Sequence, residues 1–134
     1  MVLVERQGLP LGICLAPATP AETSLVDQTL AARLTPHRRL PRRLVGDKGY
    51  DSDRLRRHMA RRGIAFISPY KRNRIHRPFE DRRRLRIYNE RWVIERTIAW
   101  FGAFRHLLIR HDRSSRIFLA FFQFAAILIL LRRL

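Results

Sequence analysis

Leu44–Asp53, LVGDKGYDSD, is the stretch on which the fold turns. Two apolar residues lead into a glycine, an acid and a second glycine, and then into Asp51, Ser52 and Asp53. The pattern predicts a short buried strand, a tight turn and a helix. Asp51 or Ser52 caps that helix, Asp53 suits its positive N-terminal end, and Gly63 stops it. Ile64–Ile67 reads as a second short strand, which Pro69 ends. Strand, helix and strand in succession belong to an α/β domain, and the region 44–67 is its centre.

Upstream, Met1–Val4 and Leu11–Leu15 are apolar runs on either side of RQGLP. Gly8 and Pro10 make that segment a turn, so residues 1–16 read as a β-hairpin. Pro17, Thr19 and Pro20 close it. Residues 21–34 carry Leu25, Val26, Leu30 and Ala31 at amphipathic helical spacing, and 36–43 form a basic connector. Downstream, residues 71–86 hold eight Lys and Arg against Glu80 and Asp81, which predicts a basic arm. A helix over 83–107 follows, and after Ser114 or Ser115 as a cap comes an apolar C-terminal helix over 114–132. Its run Ile117–Leu131 has 15 residues and is broken by Gln123. A span of the bilayer needs about 20, so it is read as a buried helix, with no membrane partner, in preference to a membrane segment or an exposed apolar surface left by a missing partner.

The 134 residues make one domain or part of one. Lys plus Arg number 28 against 11 acids, a net charge of +17. That balance points to a polyanion, nucleic acid first. Only Lys48 and Lys71 are lysines, and arginine forks suit bidentate phosphate contacts, although GC-rich codons give the same bias. Cys14 is alone, which excludes an internal disulfide, and the five scattered histidines offer no zinc motif.

Two acids stand out. Asp47 follows an apolar strand, and in open α/β sheets functional groups gather at the C-terminal ends of strands. The alternative is a turn aspartate that satisfies local backbone N–H groups. Glu95 belongs to IYNERWVIERTIAWFGAFRHL, residues 87–107. At about 100° per residue it shares a face with Leu85, Tyr88, Trp92, Arg96 and Ala99, and is expected to point inward. Arg91, one turn earlier, is a candidate partner, and a metal ion is another. Two carboxylates so arranged suit Mg²⁺ or Mn²⁺; paired ions of this kind serve in-line phosphoryl displacement. Lys48, Lys71, Arg72, Arg74, Arg77 and Arg105 are the candidates for DNA phosphate contacts.

GDKGYDSDRLR, PYKRNR and YNERWVIERTIAWFGAFRHLLIRHD resemble the C-terminal part of DDE-type insertion-sequence transposases of the insertion-sequence-five superfamily. VLVERQGLPLGICLAPATPAETSLVD resembles that family's hairpin and following helix. The resemblance implies a ribonuclease-H-like fold in which three acids hold two Mg²⁺ or Mn²⁺ ions for DNA cleavage and strand transfer. It makes Asp47 the second acid and Glu95 the third, both metal ligands, with Tyr88 and Arg91 supporting the third. Tyr88, Arg91 and Glu95 fall within an arc of about 60° on a continuous helix. The signature's basic residue falls on Gly102, with Arg105 nearby.

In that family the first acid precedes the hairpin, and Glu5, on the second strand, is no substitute. The expectation is therefore a truncated or frame-split chain, lacking the first central strand and its aspartate, and active only if that missing acid is supplied. Its partners would be transposon ends and target DNA, with a second copy or an upstream transposase product, in the bacterial cytoplasm at the nucleoid. The alternatives are a non-catalytic basic nucleic-acid-binding protein and an inert transposon remnant. Without the central strand, two strand edges lose backbone partners. Poor stability of residues 1–134 alone is expected; a clean, cooperative urea transition refutes it.

Overall fold

A computed structural model describes residues 1–17, 19, 21–33, 40–76 and 82–133. The chain is mixed α/β and divides into two units. The first takes in residues 1–20, 25–36 and 92–134, and the second 21–24 and 37–91.

The first unit begins with a hairpin of β1 (Val2–Val4) and β2 (Pro10–Ile13), antiparallel, with Val2 opposite Ile13 and Leu3 opposite Gly12. Its turn closes through Gly8 N–H to Glu5 O at 2.9 Å and Glu5 N–H to Leu9 O at 3.0 Å. Gly8 has φ +96°, a conformation that L side chains rarely adopt. Gly12 is tight for a different reason. A Cβ there would meet Thr29 O and Ala32 O at 3.1 Å, because α1 (Val26–Ala31) and its C-terminal end lie against β2. The helix expected over 21–34 thus opens with a 3₁₀ turn, Glu22–Leu25, before α1.

The expected helix over 83–107 is divided. α3 (Arg82–Tyr88) gives way to a 3₁₀ turn at Asn89–Arg91, then α4 (Trp92–Gly102) and α5 (Arg105–Leu108). α4 buries Val93, Thr97 and Phe101, which are successive turns of one face. The fully buried Thr97 hydroxyl lies 2.7 Å from Gly8 O and 3.0 Å from Val93 O, so it can donate to either. Arg96 Nη2 donates to Gln7 O at 2.6 Å, and its guanidinium stacks on Trp92 and Trp100. α4 is thereby fastened to the hairpin turn.

α6 (Ser115–Leu131) completes this unit. Ser114 occupies its N-cap position without a side-chain bond to the helix. Ala125, Ala126 and Ile129 pack with Ile13 and Phe101, bordered by Val2, Trp100, Phe104, Leu107, Leu119 and Phe122. The helix was expected to be buried; instead only one side is. Ile117, Phe121, Phe124, Ile127 and Leu131 are exposed along the other. The cause is composition: apolar residues surround the helix, while the unit covers one face. No helix among the described residues is long and apolar enough to cross a membrane.

The second unit is built on the stretch quoted first. β3 (Arg43–Val45) and β4 (Ala65–Ile67) are parallel, pairing Leu44 with Phe66 and Val45 with Ile67. Parallel neighbours require a crossover, which is α2 (Asp53–Arg61). Ser52 caps α2 by accepting from Leu55 N–H at 3.3 Å. Gly63, at φ +73°, ends it, with Gly63 N–H bonded to Ala60 O and Ile64 N–H to Met59 O. Leu55 and Met59 face inward with Ile64 and Ile67, all four buried.

A Cβ at Gly8 would come within 2.8 Å of Arg96 Nη2 and 3.2 Å of Thr97 Oγ1. Gly8→Ala should cost about 1–3 kcal/mol from backbone strain, and Thr97→Val a similar amount (about 1–3 kcal/mol) by orphaning the buried Gly8 carbonyl. Chemical denaturation of each variant measures this. An unchanged midpoint for both would remove the hairpin turn as the anchor of α4.

Candidate active site

Asp47 follows β3 after one residue, Gly46, whose N–H is bonded to Ile67 O at 2.9 Å. It is the N-cap of a 3₁₀ turn, Lys48–Tyr50, with Oδ1 accepting from Gly49 N–H at 2.7 Å. Its own carbonyl accepts from the Ser68 hydroxyl at 2.7 Å, a tie to the residue after β4. Asp47 is an exposed carboxylate at the C-terminal end of a parallel strand, and it also satisfies a turn N–H. Lys48 is exposed beside it.

Glu22 enters from a remote segment. Burial first, then the neighbouring Glu22 and then the charge of Asp47 raise the Tyr50 phenol well above its ordinary value, so it stays protonated. A Cβ at Gly49 would lie 2.9 Å from Asp47 Oδ1 and 3.9 Å from Glu22 Oε2, so the two carboxylates flank this glycine. The sequence reading gave Glu22 no part in the site, and no local spacing marks it.

Next to this turn, the Asp51 side chain is only 2% exposed. Oδ1 receives Arg56 Nη1 at 2.5 Å and Arg74 Nη1 at 2.8 Å, and Oδ2 receives Lys71 N–H at 2.8 Å. Burial alone would raise the Asp51 carboxyl, but the Lys71 N–H, Arg56 and Arg74 outweigh it and hold it below the usual range. Arg74 also donates to the exposed Asp53 at 2.6 Å, and lowers that carboxyl too. Arg56 and Arg74 both lie over the Tyr70 ring, 4.7 and 4.5 Å from its centroid. Asp51 and Asp53 had been read as a cap and a dipole residue; ion pairing is their main work.

Among the basic candidates, Lys71, Arg72 and Arg105 are exposed, the last at the start of α5. Arg74, expected to contact phosphate, has its guanidinium on Asp51 and Asp53. Arg77 lies outside the described residues. Tyr88 ends α3, and Arg91 ends the 3₁₀ turn with its guanidinium 5.7 Å from the Tyr88 ring centroid. Glu95 does not point inward as the helical-face argument held. The 3₁₀ turn changes the angular step between Tyr88 and Glu95, and α4 buries the Val93–Thr97–Phe101 face. Glu95 and Trp92 are exposed instead. Among the described residues, no group of three or more His, Cys, Asp or Glu side chains is gathered to hold a metal ion.

Asp51 ionises below its ordinary 3.8 in the folded chain, so the unfolded chain takes up this proton first on acidification. Its stabilisation is present above the unfolded value and is lost as pH falls through the folded one. Stability should therefore decline on going from about pH 5 into acid. Asp51→Asn should cost about 2–4 kcal/mol at neutral pH, reduced by the partial exposure of both guanidiniums. The variant should also show a shallower acid slope in denaturation midpoints between pH 5 and 2. An equal slope would remove Asp51 as the main titrating group.

Sequence comparison supplies the context for these acids. Residues 1–130 match the family model described as the transposase DDE domain. A Burkholderia cepacia protein described as a candidate transposase for insertion sequence element IS402 is 33% identical over 135 residues, covering 96% of this chain. The chain spans 60% of the length of that relative. No solved structure matches. With the family model running through β3, α2 and α4 alike, the chain belongs to the DDE-domain transposases.

Proposed function

We propose that this chain is the catalytic-domain portion of an insertion-sequence transposase, acting in DNA strand cleavage and transfer on a ribonuclease-H-like fold. The observation that carries the reading is the family match over residues 1–130, which takes in Asp47 at the end of a parallel strand. Asp47 and Glu95 are the two acids assigned to the reaction, with Tyr88 and Arg91 supporting Glu95. Lys48, Lys71, Arg72 and Arg105 are exposed cations suited to DNA phosphates, and Arg77 belongs with them by sequence. Such contacts hold the duplex without reading its sequence. Arg74 acts indirectly, by fixing the loop that carries Lys71 and Arg72.

The reaction class is in-line displacement at phosphorus. A water or 3′-hydroxyl oxygen forms the new P–O bond, and the bond to the leaving 3′-oxygen breaks. Enzymes of this family use divalent ions, Mg²⁺ or Mn²⁺ here. The described residues do not by themselves gather a donor set for two such ions, so no step is assigned to the metal. Transposon ends and target DNA are the proposed substrates, with a second copy of the chain as partner, in the bacterial cytoplasm.

Nicking of supercoiled plasmid with Mg²⁺ or Mn²⁺ tests the reading. Asp47→Asn and Glu95→Gln should each reduce it by about a hundredfold or more, on the scale of losing a group that stabilises the transition state, with folding and DNA binding retained. Binding that weakens steeply with salt, without metal-dependent nicking by the unaltered chain, would instead favour a non-catalytic nucleic-acid-binding protein.

A further inference from the structure

Aromatic rings and cations alternate along one side of the first unit. The Arg96 guanidinium lies 4.7 Å from the Trp92 ring centroid and 5.0 Å from that of Trp100, and the Arg133 guanidinium lies 4.4 Å from Trp100. Trp92, Arg96 and Trp100 sit on successive turns of α4, so the helix itself sets this order. Arg96 is also anchored from outside the helix, by Nη2 donating to Gln7 O at 2.6 Å. Its buried Nε has no hydrogen-bond partner among the described residues. The guanidinium therefore owes its place to the Gln7 carbonyl and the two indoles.

Trp92 stands at the open end of this row. With Arg96 over its ring, the residue is still 54% exposed. Glu95, the acid assigned to the reaction, is exposed three residues further along α4, and side chains at that spacing are neighbours on a helix surface. A nucleobase offers a flat π face on a polyanionic strand, which suits both the ring and the net charge of +17. A second copy of the chain brings the same charge and is repelled. In a duplex each base is covered by its neighbours, so only an unpaired base has a face to give.

We propose that Trp92 is a stacking platform for an unpaired DNA base, held in place by the row Trp92, Arg96, Trp100 and Arg133. The inference deepens the reading given under Proposed function and rests on it for the identity of the strand. Every base has a π face, so the platform recognises unpairing rather than sequence. Trp92 is a binding residue here and need not touch the reacting phosphate.

Binding of the full chain to a labelled oligothymidine strand, and to a blunt duplex of the same length, tests this without metal. Trp92→Ala should weaken the single strand by about five- to a hundredfold, the scale of one lost base–aromatic stack, and leave the duplex unchanged. Trp92→Phe keeps a ring and should retain most of the affinity. The strand should quench the tryptophan fluorescence of the unaltered chain. That quenching should be lost in Trp92→Phe, where Trp100 is the only indole left.

Equal weakening of strand and duplex by Trp92→Ala would overturn the platform, as would unchanged binding of both. Quenching that persists in Trp92→Phe would do the same. A Trp92→Ala chain that holds the strand as before, but loses self-association in sedimentation or binding to anionic vesicles, would give the ring to a second copy or a lipid surface instead. Nicking enters none of these readouts. A chain that does not nick counts against the reading under Proposed function, while strand binding still decides whether the platform exists.

Discussion

One buried carboxylate organises the second unit. Asp51 comes out of water with two guanidiniums and a backbone N–H on its oxygens. Removing an ionised carboxylate from solvent is tolerable only with this degree of compensation. The consequence is geometric. Arg56 comes from α2, Arg74 and Lys71 from the segment after β4, and Tyr70 lies under both guanidiniums. The segments that leave the two parallel strands are thus drawn to one point. The Asp47 turn lies immediately before Asp51, so the loop that presents the candidate acid inherits this rigidity. Ser68 adds to it by donating to the Asp47 carbonyl.

A net charge of +17 makes it natural to treat every arginine as a phosphate ligand. The structure separates two jobs. Arg56, Arg74 and Arg96 spend their donors on protein oxygens and their faces on aromatic rings. Lys48, Lys71, Arg72 and Arg105 sit at the surface. Internal arginines of the first kind set the shape of the segments they bind.

Local signals were legible in the sequence and remote ones were not. Ser52, Gly63 and the apolar runs on either side pointed to a strand, a helix and a strand in succession, because each acts through its own backbone within a few residues, while the parallel pairing came from the structure. Gly8 marked the hairpin turn for the same reason. The error at Glu95 arose from taking the face it shares with Trp92 and Ala99 as the inward one, whereas α4 buries Val93, Thr97 and Phe101. What fixes the inward face of α4 is the hydroxyl of Thr97 at a carbonyl 89 residues away, a contact no periodicity contains. Glu22 was given no part in the site likewise, because it reaches the neighbourhood of Gly49 from a distant segment. For Asp47 the sequence already offered a turn acid satisfying a nearby backbone N–H, and the structure identifies that N–H as the one of Gly49.

The half-covered helix α6 has a colloidal consequence. Its exposed side carries Ile117, Phe121, Phe124, Ile127 and Leu131, a surface that sticks to its like. Between two copies of a chain this basic, repulsion is long-ranged at low ionic strength and is screened within about 8–10 Å near physiological salt. The apolar attraction is not screened. Raising salt should therefore remove what keeps its molecules apart. Solubility of this chain should fall with added salt, and one polar residue in place of Phe124 should do more to keep it dispersed than any further arginine.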